Sequence, residues 1–291
     1  MRRLPLLLLL ETCSLPACAD LPMSVEDVIT AKGKFRSELS IVYANSERQS
    51  VSLGDAILIQ TGPASFLTLP TGIGDSYVNS DTVVSTLGAR YGFSSDSEAY
   101  LRVSTSHSQQ RHQDVNGITE SNVTSGVADA WLGITHQFKP DSASPAMLGF
   151  IELALEEKHR YSFARFQSVM LGLSAYVIFD PVVLSATVAA RVGESRMDGT
   201  FPFSPGNFYL FNPLVTFAVN DRVTLTGGMQ WTWKQSDLLN HVPIGIDRSS
   251  TDLVTGFGVV MSDASTFNTS FKMNASGRAG SELRLTWLHT L

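Results

Sequence analysis

From Gly33 to the end of the chain, apolar side chains occupy every second position in successive segments about ten residues long. In the first segment Leu39 and Ile41 share one face, whereas Arg36 and Glu38 share the other. This period-2 alternation is the signature of β-strands with one apolar face. Strands of soluble sandwiches are typically only ~5–6 residues long, whereas a tilted strand needs ~9–11 residues to cross a membrane. The segments therefore predict an all-β fold, a transmembrane β-barrel.

The composition agrees with this prediction. Charged residues make up 16% of the 291 residues and hydrophobic residues 43%, whereas soluble domains carry ~25% charged residues. Past residue 10 no apolar run approaches the ~18 residues of a membrane-spanning helix, which excludes a helical membrane protein. The 21 basic and 27 acidic residues give a net charge of −6 with no basic block, so a nucleic-acid partner is excluded.

Short turns alternate with longer polar loops along the chain. The turns at 93–97 and 219–221 are short, whereas the loops at 109–124 and 235–250 are long. Outer-membrane barrels have short periplasmic turns and longer extracellular loops. We therefore predict a twelve-stranded antiparallel barrel within residues 34–291, an even number that leaves both chain ends in the periplasm. Residues 53–70 are predicted to form a hairpin inside the first long loop.

The first 33 residues predict export and a short helix. Residues 1–19 combine a basic start, an apolar core and a small-x-small cleavage site, which together indicate a signal peptide. Acylation at Cys18 as a lipoprotein stays open as an alternative. Residues 20–33 follow, and within them Val25, Val28 and Ile29 at helical spacing predict a helix over 24–32. Such a short helix needs a surface to pack on, and the lumen mouth is the nearest one.

Aromatic side chains mark the predicted edges of the membrane. Phe93, Phe138 and Phe179 fall on the outward faces at the lower ends of strands, as an interfacial girdle in outer-membrane lipid requires. The last strand alternates as the barrel-assembly machinery would recognise it, although the chain ends in Leu291 instead of the aromatic residue that barrels commonly carry.

Charged residues recur on the less apolar face of the strands. Both signs occur in near-equal number, so pairing across the lumen would leave only a modest field. By alternation, the predicted lumen-facing, pore-lining residues are Arg36, Glu38, Arg90, Arg102, Asp129, Glu152, Glu156, Arg191, Lys234, Asp252, Lys272 and Arg284.

The sequence predicts no catalytic, cofactor or metal site. The six histidines have no metal-ligand spacing, and no cysteine lies beyond residue 18. Glu152 and Glu156 resemble an acid and base pair, but no further residue points to chemistry, so we assign them to the lumen wall. His136 and His289 lie on apolar faces, and a barrel phospholipase therefore stays open as a remote alternative.

The chain contains the short blocks Gly33-Lys34-Phe35, Leu87-Gly88-Ala89-Arg90-Tyr91-Gly92, Thr61-Gly62-Pro63-Ala64-Ser65-Phe66, Phe179-Asp180-Pro181-Val182-Val183-Leu184 and Leu283-Arg284-Leu285-Thr286-Trp287-Leu288. With these blocks it resembles an outer-membrane barrel family, that of the "MetA-pathway of phenol degradation", and within it the Fap functional-amyloid secretion channels. This resemblance spans residues 22–291 and implies a twelve-stranded barrel, a helical plug ahead of the first strand, and export of amyloid subunits to the cell surface. The long periplasmic coiled coil of those channels, associated with trimers, is missing here, so monomer and homotrimer both stay open.

Two functions are therefore expected for a chain that is not an enzyme. The first is secretion of extended amyloid subunits from periplasm to surface through a channel gated by the helix at 24–32. The alternative is passive uptake of small solutes, aromatic ones included. A twelve-stranded barrel has a narrow lumen, because about eight strands fill their own interior and sixteen leave a wide aqueous pore.

Overall fold

The computed structural model describes residues 29–49, 57–62, 65–69, 77–113, 119–141, 144–159, 162–198, 201–276 and 279–291. Within them the chain forms nineteen strands. These are β1 (Phe35–Gln49), β2 (Ile57–Gln60), β3 (Phe66–Leu69), β4 (Tyr77–Gly92), β5 (Ser97–Gln113), β6 (Thr119–Lys139), β7 (Ala146–His159), β8 (Ser162–Ala164), β9 (Ser168–Phe179), β10 (Val182–Gly193), β11 (Arg196–Asp198), β12 (Phe201–Ser204), β13 (Phe208–Ala218), β14 (Val223–Lys234), β15 (Asp237–Leu239), β16 (Val242–Ile244), β17 (Arg248–Ser262), β18 (Ser265–Asn274) and β19 (Ala279–Thr290).

Twelve of these strands close into one antiparallel barrel, as the sequence predicts. Their order is β6-β5-β4-β1-β19-β18-β17-β14-β13-β10-β9-β7, and β6 also pairs with β7. The first and last barrel strands meet directly, with Leu39 opposite Trp287. The Leu291 N–H also donates to the Phe35 carbonyl over 2.7 Å. The beginning of β1 and the end of β19 therefore lie at the same rim. Closure leaves no strand edge unpaired in the wall, which is what a sheet surrounded by lipid requires.

The two faces of the wall differ as the alternation predicts. In β1, Leu39 and Ile41 are exposed on the outside, whereas Ser40 and Val42 are buried inside. Large apolar side chains remain exposed on the outside of every barrel strand. Apolar patches of this extent do not occur on monomers in water, so the band belongs in hydrocarbon.

Short turns join the barrel strands at one rim, here the short-turn end, which is periplasmic in barrels of this kind. At the turn between β13 and β14, the Asn220 side-chain oxygen accepts hydrogen bonds of 2.9 Å from the N–H groups of Arg222 and Val223. An asparagine that caps its own turn in this way favours a tight reversal. Phe138 and Phe179 project at this rim with 61% and 60% exposure, where the predicted girdle lies.

At the opposite rim, the loop end, a second sheet joins two loops. It has the order β11-β12-β15-β16. Lys234 at the end of β14 forms an ion pair of 2.9 Å with Asp237, and Asp237 accepts a hydrogen bond of 2.8 Å from the Gly206 N–H. These contacts attach the small sheet to the barrel rim.

The hairpin predicted at 53–70 is present as β2 and β3, which pair from Ile57–Leu69 to Gln60–Phe66. It does not stay within the loop. Ile59, Phe66 and Leu67 are buried against side chains of the barrel's inner wall. The hairpin therefore enters the lumen, because its apolar side chains pack against the inner wall there, whereas at the rim they would be exposed to water.

Only the last four residues of the predicted helix over 24–32 lie among the described residues. Val25 and Val28 lie outside the described residues, and so does the predicted signal peptide. Residues 29–32 are not helical, so the prediction for Ile29 was wrong. Lys32 instead forms a parallel bridge with Gly92, and Thr30 is fully buried against the inner wall, where Glu98 accepts its N–H and hydroxyl. Pairing with the wall satisfies these backbone groups in place of a helical turn.

In the described part of the chain, no helix has the length and apolar content needed to span a bilayer.

Candidate functional site

The inward hairpin lies against one side of the lumen and not at its centre. Ile59 and Leu67 pack with Val42, Val84 and Ala128, which come from β1, β4 and β6. Burying side chains of this size removes about 1.5–3 kcal/mol of unfavourable hydration each. The apolar face of the hairpin thus holds it on this wall.

The tip of the hairpin extends this contact to the next part of the wall. Phe66 packs with Trp131, Met170 and Leu210. The centres of the Phe66 and Phe208 rings lie 4.7 Å apart. Together the two clusters cover the inner faces of β1, β4, β6, β7, β9, β10 and β13. The opposite wall, formed by β14, β17, β18 and β19, makes no part of either cluster.

Polar side chains from that opposite wall reach across to the hairpin. The Lys272 ammonium donates to the Gln60 side-chain oxygen over 3.3 Å, and Arg284 donates to the Gln60 carbonyl. From the packed side, Arg191 donates to the Phe66 carbonyl over 3.5 Å. The hairpin is therefore tethered on both sides through its backbone and through Gln60.

Two cavities lined by described residues lie beside the hairpin, chiefly along the wall of β14, β17, β18 and β19. The larger, of about 340 Å³, lies toward the short-turn end, and the smaller, of about 140 Å³, lies toward the loop end. Each is far larger than the ~10–15 Å³ that one water molecule needs. Uncharged polar side chains dominate both linings, and they include Thr216, Thr226, Asn268, Ser270 and Thr286 in the larger cavity and Asn45, Ser46, Ser250, Asn274 and Ser281 in the smaller one.

Many charged side chains of the lumen are held in ion pairs. Near the short-turn end, Arg90 bridges Glu38 at 3.1 Å and Glu98 at 2.9 Å. Glu98 is fully buried and also accepts from the N–H and hydroxyl of Thr30. A buried carboxylate needs such partners, since an unpaired one would cost several kcal/mol.

A second network lies further up the same wall. Arg102 pairs with Glu152 at 2.7 Å, and the Tyr100 hydroxyl donates to the other oxygen of Glu152 over 2.6 Å. The Arg102 guanidinium also lies 5.6 Å from the centre of the Trp131 ring. Glu152 is therefore a structural anchor whose two oxygens are both occupied, and it does not form an acid and base pair with Glu156.

Two further groups of lumen charges are paired in a similar way. On the open side, Glu282 pairs with Lys272 at 2.9 Å and with Arg284 at 3.2 Å. On the packed side, Glu157 pairs with Arg191 and lies 3.7 Å from Arg196. Each cluster joins two cations around one carboxylate.

The structure corrects one of the twelve predicted pore residues. A bulge between β6 and β7 sets Ala130 opposite Glu156 and Trp131 opposite Ala154, which shifts the alternation by one residue. Glu157 thereby takes the inward position, and Glu156 pairs instead with the exposed Arg165 at 3.9 Å. The prediction for Glu156 was wrong because strict alternation cannot anticipate a bulge.

The other predicted residues lie on the inner face of the wall but do not share one site. Arg36, Glu38 and Arg90 belong to the short-turn end, and Lys234 belongs to the loop end. Asp129 lies opposite Glu157. Only Asp252, Lys272 and Arg284 line the two cavities.

Sequence reasoning missed three residues that the structure places at the centre of these contacts. Glu98 follows the same alternation as Arg102 and was available from the pattern. Gln60 lies on a hairpin whose entry into the lumen no local signal indicates. Gln230 lines both cavities, but an uncharged side chain on an inner face carries no distinguishing mark in the sequence.

The two outward histidines each have a serine partner across the strand pair. Ser97 and His136 are in hydrogen-bond contact at 2.8 Å, as are Ser265 and His289. The His136 ring meets Phe138 edge-on, and the His289 ring stacks on Trp287. Both pairs belong to the aromatic girdle at the short-turn end. Among the described residues no group of three His, Cys, Asp or Glu side chains could hold a metal ion.

Comparisons with known proteins agree on the barrel. No protein-family model matches the sequence, and no curated protein does so either. The COG4313 outer membrane channel from Pseudomonas putida F1 superposes with a TM-score of 0.67 at 10% identity, over 90% of this chain and 97% of that one. The translocator domain of the autotransporter NalP from Neisseria meningitidis gives 0.53 at 9% identity, over 92% and 91%. The NanC porin gives 0.50 at 11% identity, over 87% and 100%.

At these identities the likeness concerns the fold. The chain has the twelve-stranded barrel fold of outer-membrane proteins, and its apolar outer band between two polar rims places it in the outer membrane.

Proposed function

We propose that this chain is a passive outer-membrane channel for small, uncharged solutes. The observation that carries the proposal is the position of the hairpin, which leaves two polar cavities in series along one wall of a closed barrel. The larger cavity, of about 340 Å³, falls at the lower end of the ~300–1,000 Å³ range of small-molecule sites. A solute of that size fits between the hairpin and the wall.

The pairing of the lumen charges supports the preference for uncharged solutes. Lys272 and Arg284 both contact Glu282 beside the cavities, and Arg102 is paired with Glu152 on the packed wall. Opposite charges held this close present little net field to the lumen. Hydroxyl and amide side chains are then the main groups that a passing solute meets.

The same hairpin argues against secretion of an extended polypeptide. The two cavities beside the hairpin measure only about 340 and 140 Å³, so passage of an extended polypeptide would require the hairpin to leave the lumen. Ile59, Phe66 and Leu67 would then lose their burial, at about 1.5–3 kcal/mol for each side chain. The uptake of small solutes needs no such rearrangement, and we therefore favour it over amyloid secretion.

Swelling of proteoliposomes tests the proposal. Vesicles containing the purified protein are diluted into iso-osmotic arabinose or into salicin, an uncharged phenyl glucoside, with empty vesicles as the control. We expect swelling in arabinose, and the rate in salicin relative to arabinose reports whether an aromatic ring is accepted. Equal rates for protein-containing and empty vesicles in both solutes would contradict a passive channel.

A further inference from the structure

We propose that Lys272 and Gln60 form a septum between the two cavities and that Lys272 sets the size of solute that passes. This inference rests on the proposed function, because it concerns the route through the same channel. Lys272 on the wall and Gln60 on the hairpin thereby have a role in selectivity. Neither the alternation of the strands nor the likeness to other barrels indicates this role.

The first support is the lining of the cavities. Lys272 and Gln230 are the two residues that line both of them. Of the described hairpin residues, Gln60 lines the larger cavity, and Leu58 and Phe66 line the smaller one. The two spaces are therefore adjacent, and the wall residues between them are Lys272 and Gln230.

The second support is the contact that crosses this boundary. Lys272 extends from β18 toward the hairpin, where its ammonium meets the Gln60 side-chain oxygen at 3.3 Å and lies 5.9 Å from the centre of the Phe66 ring. Glu282 holds the same ammonium at 2.9 Å. At this boundary the wall therefore meets the Gln60 side chain through the Lys272 side chain.

The third support is that the described inward side chains of the remaining wall are closely packed. Along β1, β4 and β5 the inward side chains Ser40, Thr86 and Ser104 are all at most 2% exposed. Phe66 and Trp131 fill the next part of the lumen. Solute that crosses the barrel therefore passes the side on which Lys272 lies.

The contact is suited to opening and closing. A donor–acceptor distance of 3.3 Å lies beyond the usual range for N–H···O hydrogen bonds, so the bond to Gln60 is the weaker of the two that hold the ammonium. A lysine ammonium has three donors. A hydroxylated solute can therefore take the place of the Gln60 oxygen while Glu282 keeps the charge neutralised.

Three variants of the full-length chain test the septum by proteoliposome swelling in arabinose and in the trisaccharide raffinose. Lys272→Ala shortens the side chain, and we expect the raffinose rate relative to arabinose to rise severalfold over that of the unaltered protein. Lys272→Met keeps the length without the charge, and we expect the size limit to stay unchanged. Lys234→Ala removes an equally ion-paired lysine that lines neither cavity, and we expect no change.

Heat-modifiable migration on a gel shows which variants are folded. Gln60→Ala removes the hairpin half of the septum without altering the wall, so it replaces Lys272→Ala should that variant fail to fold, with the same expected rise. An unaltered raffinose-to-arabinose ratio in folded Lys272→Ala or Gln60→Ala would overturn the septum. Absence of arabinose swelling in the unaltered protein would instead overturn the channel itself.

Discussion

Glu152 and Glu156 are two carboxylates four residues apart with opposite surroundings. Glu152 is 1% exposed and accepts hydrogen bonds from Arg102 and Tyr100, whereas Glu156 is paired with the exposed Arg165. Glu152→Ala leaves Arg102 buried without its charge partner, and we expect a loss of about 3–5 kcal/mol in the free energy of unfolding. Glu156→Ala should cost about 0–1 kcal/mol. Urea unfolding in lipid vesicles measures both, and equal losses would contradict the assignment.

A glycine on the inner wall makes room for a large neighbour. A Cβ atom at Gly172 would lie 2.1 Å from the Phe150 ring, whereas a Cβ at Gly227 would meet nothing within 4 Å. Gly172→Ala should therefore destabilise the barrel by about 1–3 kcal/mol through overpacking. Gly227→Ala, on the same measurement, should not be destabilising, and a comparable loss there would show that strand entropy and not space decides.

For single residues, the sequence predicts which face of a strand a side chain lies on, but not which side chains it contacts. Alternation assigns Arg102 and Glu152 to the inner face, because a regular strand has a period of two. It fails at Glu156 because the bulge adds one residue to β7 and shifts the alternation beyond it. A bulge depends on how two strands pair, which no single segment encodes.

Among the elements, the hairpin of β2 and β3 decides how much of the lumen is open. Its two apolar stretches predict the strands, but its entry into the barrel depends on apolar side chains from β1, β4 and β6 that lie far away in sequence. The sequence places the hairpin in the first loop. The apolar surface on which it packs inside the lumen exists only once the barrel has closed.

Replacing residues 58–68 with a short Gly-Ser linker should widen the channel. The twelve wall strands keep all their pairings, since β2 and β3 pair only with each other in a separate sheet. We expect a severalfold rise in single-channel conductance in planar bilayers, with heat-modifiable migration retained. Unchanged conductance in the folded variant would mean that the hairpin does not obstruct the path.

The whole molecule is a cylinder with an apolar outer band that lies in the hydrocarbon of the membrane. The long strands β5 and β6 extend beyond this band. Leu285 lies in the middle of β19, opposite Ile41, whereas Val123 lies on the extension of β6, opposite Gln109. Both side chains are exposed outward. Leu285→Arg should cost about 2–4 kcal/mol and Val123→Arg about 0–1 kcal/mol, because the cost of a charge falls toward the interface.

This contrast can be measured by urea unfolding of the two variants in vesicles. Similar losses for both would contradict the position of the apolar band.

The twelve strands and the band itself were predictable from the sequence, since both follow from length and alternation. The eccentric lumen was not, because it results from one loop packing against seven strands at once.

The central claim is that the barrel is a narrow passive channel whose lumen charges are neutralised. Reversal potential in a planar bilayer under a potassium chloride gradient tests it most directly with the unaltered protein. We predict small conductance steps with a reversal potential close to zero, because Lys272, Arg284 and Arg102 are each paired with a carboxylate. A silent bilayer, or a reversal potential near that of an ideally cation- or anion-selective pore, would contradict the claim.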